Sequence, residues 1–302
     1  MSRWLHERRG GRHFTFVVLG ACLPVILTVS GCTTGSSEAR KDLSARALLD
    51  FKTGEIILPL DAYDATTRWA DFQSLQRATY LAVDECMVAR GQRYTAAHII
   101  DAPDTNIGDR LYGLWNVDYV RKYGYDSPEV QTNIAIAKDA EAGGDAWGAA
   151  WKTCYETTIP TEIRSLIPGL EEQRRSLVSR LRAEARSRAE ADPGWAAARV
   201  PWAACLQKAG LEPHTDGWRS KQAQDMIMSE NDVPTQGTQE LSRIAYIEAK
   251  CNVESGLTQN LGNLEAGYQQ PLIDANQAAL NKVKEQAQQR LATAKAYIAT
   301  HG

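Results

Sequence analysis

Six cysteines carry most of the chemistry legible in this 302-residue chain: Cys22, Cys32, Cys86, Cys154, Cys205 and Cys251. A thiol can be acylated, oxidised to a disulfide, used as a nucleophile or bound to a metal. Cys32 follows Val29-Ser30-Gly31, small residues after an apolar run from Phe14 to Val29, behind Arg3, Arg8, Arg9 and Arg12. A basic start, a short apolar core and small residues at a cleavage point describe an export signal. The run is shorter than the roughly 20 residues that a spanning helix needs. A cysteine directly after it fits the lipobox of bacterial lipoproteins, with Cys32 as the acylated first mature residue. Cys22, after Leu19-Gly20-Ala21, also fits, but cleavage there leaves too little apolar core. Residues 1–31 are therefore expected to be a lipoprotein signal peptide. Residues 32–50 follow as a tether to the bilayer on the extracytoplasmic face, because acyl chains bury many methylenes at about 0.8 kcal/mol each.

The other four cysteines form no C-x-x-C pair, which leaves zinc-ribbon and thioredoxin readings without support. An even number in an oxidising compartment suggests two disulfides. A Cys–His nucleophile would need one of these thiols free.

Other side chains also have types and spacings that could do chemistry. Asp61, Asp64, Asp84 and Glu85 lie near apolar segments, where two carboxylates could do acid–base work. Helix capping and solvation account for them as well. "DTNIGD" at 104–109 spaces oxygen ligands as a calcium loop would, yet lacks the terminal bidentate glutamate. Turn chemistry explains it more simply. Tyr112, Trp115, Tyr119, Tyr123 and Tyr125 crowd into 110–125 and are candidate binding residues, a stacking platform for a cell-wall glycan. The alternative is that they pack the loop onto the body. No G-x-S-x-G, H-E-x-x-H or nucleotide-binding glycine loop occurs. No metal, cofactor or catalytic residue is expected, and no enzymatic activity is assigned.

Charge limits the partners. Removing residues 1–31 takes away four of the 34 Lys+Arg and one of the 37 Asp+Glu, leaving a net charge near −6. That balance argues against nucleic acid. The expected partners are the bilayer, through Cys32, and an envelope protein or peptidoglycan.

The elements that must position these groups read as helix. Residues 42–50 suggest a short helix, and "TGEIILPLDAY" an extended strap, since Pro59 disfavours helix at Leu58. Helix is expected from about Ala65 to Arg90, with Trp69, Phe72, Leu75, Tyr80 and Val83 inward and Gly91 as a left-handed stop. A further helix spans 128–157, with Trp147, Trp151 and Cys154 on one face. Ile163, Leu166, Ile167, Leu170, Leu177, Val178 and Leu181 predict a long helix over 162–190, bent at Pro168. It is expected to pack antiparallel to a last amphipathic helix over 257–299.

One pattern recurs. "CMVARG" at 86–91 and "CLQKAG" at 205–210 end two helices alike, and Cys154 and Cys251 each lie on a later helix with similar neighbours. The expectation is two related helical hairpins, 51–160 with the aromatic loop and 193–256, each closed by its own disulfide. Residues 161–192 connect them and 257–302 follow. The fold class is all-α: two disulfide-closed helical units, a long antiparallel helical pair and an N-terminal extended strap.

"GEIILPLDAY", "ECMVARG", "RLYGLWNVDYVRKYGY" and "WAACLQKAG" resemble a group of uncharacterised lipoproteins and secreted proteins of actinobacteria. The likeness spans most of residues 50–270, and "LPLDAY" and "YG…YGY" are its more specific parts. It implies an exported, envelope-associated protein of a high-GC Gram-positive bacterium and brings no catalytic residues. Together these readings predict a membrane-anchored binding or scaffold module of the cell envelope, or alternatively a glycan-binding or cell-wall-acting enzyme using 110–125.

Overall fold

Pro271 interrupts the hydrogen-bond ladder of a helix that runs from Leu257 to His301, 45 residues in all. Proline has no N–H, so the carbonyl four residues back is released. That carbonyl, of Gly267, instead accepts the Asp42 N–H at 2.8 Å. Beside it the Lys41 ammonium meets Asp192 at 2.6 Å, and Tyr268 donates to the same carboxylate at 2.8 Å. The described chain thus begins pinned to its last helix. The computed structural model describes residues 41–101, 108–228 and 239–302.

From Lys41 the chain forms a two-stranded antiparallel hairpin, β1 (Leu48–Asp50) and β2 (Glu55–Ile57), with Leu48 opposite Ile57. A 3-10 turn follows at Pro59–Tyr63. Then come α1 (Trp69–Val88), α2 (Val117–Tyr123), α3 (Gln131–Thr153) with a π-turn at Cys154–Thr158, and α4 (Thr161–Arg164). The chain continues through α5 (Leu170–Arg175), α6 (Leu177–Ala191), α7 (Pro193–Lys208), α8 (Lys221–Met228), α9 (Gln239–Ser255) and α10 (Leu257–His301). The fold is all-α in class, with the strap as its only sheet among the described residues.

The helix expected over 42–50 is absent. Asp50 accepts the Lys52 and Thr53 amides, which turns the chain, and Leu48–Asp50 pairs with the apolar strap. A nine-residue helix cannot hold itself without packing, and strand pairing satisfies more backbone here. The single helix expected over 162–190 is also absent. Pro168 and Gly169 end α4's segment, and Ser176 caps α6 by accepting the Ser179 N–H at 3.0 Å. Leu170, placed in the inward stripe, is 70% exposed. The antiparallel pair itself is present. Arg290 reaches Glu172 at 3.1 Å near one end, and Tyr268 reaches Asp192 near the other.

Both disulfides close within their hairpins, Cys86–Cys154 and Cys205–Cys251. The two helix ends share one hydrogen-bond pattern. Gln92 N–H donates to Met87 O and Leu211 N–H to Leu206 O, each at 2.9 Å, across Gly91 and Gly210 at φ +71° and +78°. Met87 and Leu206 are both fully buried. Of the α1 residues expected inward, Leu75 and Val83 are buried, while Trp69, Phe72 and Tyr80 are half-buried.

Three apolar cores result. One joins α1, α3 and the distal part of α10. A second joins the strap's Ile56 and Leu58 with α7, α8, α9 and the start of α10. The third lies between α6 and the middle of α10, plugged by Leu60 and Tyr63. Tyr112, Leu114, Trp115, Val120 and Tyr125 pack in the second core, although their stretch lies between the cysteines of the first hairpin.

A Cβ at Gly91 or Gly210 meets nothing within 4 Å, so Gly→Ala at either site is a conformational cost alone, about 1 kcal/mol each. Replacing the Cys205–Cys251 pair by alanine opens a 46-residue separation and should cost about 4 kcal/mol. Urea denaturation under non-reducing conditions measures both.

Candidate functional site

The aromatic stretch is tied shut by one side chain. Arg110 donates from Nη1 to Tyr125 O at 2.8 Å and from Nη2 to Asp126 O at 2.9 Å. This joins the two ends of residues 110–126. Within it α2 is capped by Asn116, whose side chain accepts the Tyr119 N–H.

Three of the five candidate binding aromatics are consumed by the core. Tyr112 is fully buried and donates to Glu265 at 2.8 Å. Trp115 is buried, donates to Asp109 O at 2.8 Å and meets Phe51 edge-to-face. Tyr125 is buried and donates to Glu248. Tyr119 and Tyr123 are half-buried with ring centroids 4.8 Å apart. The five therefore form no shared open face.

Tyr125 nevertheless lines a recess of 230 Å³ together with Arg110, His214, Trp218, Arg219 and Gln224. The far wall comes from the loop between α7 and α8, which Arg199 of α7 fixes by donating to the carbonyls of His214 and Gly217. Arg199 lies 5.0 Å and 5.2 Å from the ring centroids of Trp202 and Trp218. Trp218 packs edge-to-face on Trp195 and Trp202. Arg219 lies 5.4 Å from the Tyr125 ring centroid and donates to Gln224 Oε1 at 3.3 Å. Beneath them Glu248 is buried, and its Oε1 accepts the Ser220 N–H and hydroxyl at 2.6 and 2.7 Å. Burial pushes the Glu248 carboxyl up, against hydrogen bonds from Tyr125 and Ser220 that lower it.

A second recess, of 540 Å³, lies between the strap and α6. Its charges are matched almost completely. Arg68 pairs with Glu55 at 3.3 Å, Arg182 with Asp61 at 2.8 Å and Asp64 at 3.2 Å, and Arg186 with Glu265 at 3.1 Å. Asp109 accepts the Ile56 N–H at 2.6 Å. Burial raises Asp61 and Asp109, the former against the pull of Arg182.

The four carboxylates singled out in the sequence do not converge. Asp61 and Asp64 share Arg182, whereas Asp84 meets His98 at 3.0 Å and Glu85 meets His301 at 2.5 Å. Of the segment 104–109, only Gly108 and Asp109 lie within the described residues. Among the described residues, no group of three or more His, Cys, Asp or Glu could hold a metal ion. Cys32 and the apolar run before it lie outside the described residues. Among the described residues, no helix is long and apolar enough to cross a membrane. No family model, curated protein or solved structure matches this chain.

Sequence reading missed Arg110, Arg199, Trp218 and Arg219. Their only signal was local, Arg and Trp residues bracketing a turn-rich loop, and the partner stretch lies about 100 positions away.

Glu248 sets a pH prediction. Its folded-state pKa lies above the ordinary carboxylate value, so as pH rises past that value the folded chain keeps a proton there longer than the unfolded chain does. Stability from this group is complete below the ordinary carboxylate range and is lost as pH rises through the raised value. Glu248→Gln, which cannot ionise, should remove that part of the decline in thermal melts as pH rises above the ordinary carboxylate range. Glu248→Ala should instead cost about 2–4 kcal/mol at every pH, because the buried Tyr125 hydroxyl and Ser220 amide lose their acceptor.

Proposed function

We propose that this chain is a lipid-anchored lipoprotein on the extracytoplasmic face of the cell membrane, acting as a binding or scaffold module of the cell envelope. The observation that carries the reading is the pair of closed disulfides, Cys86–Cys154 and Cys205–Cys251. Such bridges persist in oxidising compartments, which is where the signal over residues 1–31, ahead of Cys32, would deliver the chain.

The entry of the tether supports the same reading. Nine residues on from Cys32, Lys41 and Asp42 are clamped to Asp192 and to Gly267 O. Nine residues reach at most about 30 Å, so an acylated Cys32 would keep the body close to the bilayer. The likeness to actinobacterial lipoproteins points to the same address. The Arg- and Trp-walled recess gives the module a concave, polar and aromatic surface, the character of a small-ligand site.

The test is Cys32→Ala in the native host, with metabolic labelling by an alkynyl fatty acid. The wild-type chain should take the label and pellet with membranes. The variant should lose the label and leave the membrane fraction. An unlabelled wild-type chain in the soluble fraction would end the anchored reading.

A further inference from the structure

Arginines in this body are used in two different ways. Around the strap, Arg68, Arg182 and Arg186 each meet a carboxylate within 3.3 Å. Around the recess under Trp218, Arg110, Arg199 and Arg219 have no carboxylate within ion-pair range among the described residues. Arg110 and Arg199 spend their donors on backbone carbonyls. Those bonds hold the walls, and neither guanidinium has a carboxylate within ion-pair range among the described residues, Asp216 acting on Arg199 only from farther off.

Arg219 differs from both. Its hydrogen bond comes from Nη1 alone, to Gln224 at a long 3.3 Å. The Nε–Nη2 edge has no protein acceptor among the described residues. That edge is the side-on fork of a guanidinium, whose two parallel N–H groups match two oxygens of a carboxylate or phosphate. The Tyr125 ring beneath it limits where the fork can point.

Two carboxylates are near. Asp216 stands on the exposed rim, outside ion-pair range of all three arginines. Glu248 lies below, and its oxygens are already occupied by Tyr125 and Ser220. Burial favours its neutral form. The recess therefore has a positive balance, an oriented fork and an aromatic wall in Trp218. Its 230 Å³ is smaller than the roughly 300–1,000 Å³ of sites for drug-sized ligands.

We propose that this recess binds a small organic oxyanion, a carboxylate or phosphate borne on a ring no larger than one sugar. Arg219 is the bidentate anchor and Trp218 the wall beside the ring. Arg110 and Arg199 are positioning residues that contribute field rather than contact. This inference deepens the binding-module reading and rests on it.

The test is calorimetry on the full-length protein in detergent, with glucuronate, inorganic phosphate and uncharged glucose as probes. Glucuronate or phosphate should bind saturably at one site while glucose does not. The tighter of the two anions names the group the site prefers. Arg219→Gln should weaken binding about tenfold or more, the worth of a charge-assisted bidentate pair, with melting temperature unchanged. Arg219→Lys keeps the charge without the fork, and it should weaken binding by at least about threefold. It also serves if the glutamine variant fails to fold. Glucose binding as well as the anions, no anion binding, or variant affinities within about twofold of wild type would overturn the proposal. A chain that ignores both anions yet is acylated at Cys32 would lose this site while keeping its envelope assignment.

Discussion

One helix has to serve three cores, and the rest of the structure is arranged around that constraint. An α-helix of 45 residues is about 68 Å long at 1.5 Å per residue, more than a single small core can cover. Leu257, Leu261 and Ala266 enter one core, Tyr268, Leu272, Ile273 and Leu280 a second, and Ala287 and Ala294 the third. Its small residues let neighbours approach closely. A Cβ at Gly262 would lie 2.7 Å from that of Ala47, so the chain before the strap could not lie where it does. Pro271 supplies the free carbonyl that receives Asp42, and Asn276 absorbs the local kink with φ −118° while its side chain donates to Leu272 O. A proline that would weaken an isolated helix thus becomes the point where the incoming chain is fastened.

The strap depends on the same helix and on neutralised charge. Leu60, fully buried, donates its N–H to Gln269 of α10 at 2.9 Å. Asp61 closes its own turn by accepting the Leu58 N–H, then meets Arg182. Glu55, also buried, accepts the first amide of α1 from Trp69 at 2.6 Å and pairs with Arg68. Buried carboxylates without such partners would cost several kcal/mol each. The "LPLDAY" segment is therefore a plug between α6 and α10, and its one acid, Asp61, is structural, as is Glu55 before it. Charge is nearly balanced around the strap, in contrast to the recess under Trp218, where Arg110, Arg199 and Arg219 meet no carboxylate within ion-pair range among the described residues.

What could be read from sequence was whatever depended on short-range pattern. The glycine stops at Gly91 and Gly210, the extended run before Pro59 and the facing of Trp147 and Cys154 need only neighbours within a turn or two. The failures have the opposite character. Residues 42–50 have helical composition, but their strand pairing is decided by the Glu55–Ile57 run. The stripe over 163–181 has helical period, yet Pro168, Gly169 and the Ser176 cap divide it and leave Leu170 in solvent. The aromatic stretch was legible as a cluster, and its core was not. Tyr112 and Trp115 find their partners at Glu265 and Phe51, 153 and 64 positions away, and no periodicity reports that.

That displacement matters for the recess. The stretch 110–125 belongs by sequence to the first hairpin and by packing to the second. Arg199 lies on α7 and Glu248 on α9, the two helices that Cys205–Cys251 joins. Arg110 and Tyr125 are held at the recess with the help of Asn252 of α9, which donates to Tyr112 O at 2.8 Å, and of Gly113, which lies against Trp218. One disulfide therefore joins the two helices that carry Arg199 and Glu248, while the other, Cys86–Cys154, braces a core that contributes no lining residue. Loop closure makes the two bridges nearly equal in stabilising value. Their difference lies in position: the second holds the geometry of the recess, and the first holds the mass that α10 carries beside it.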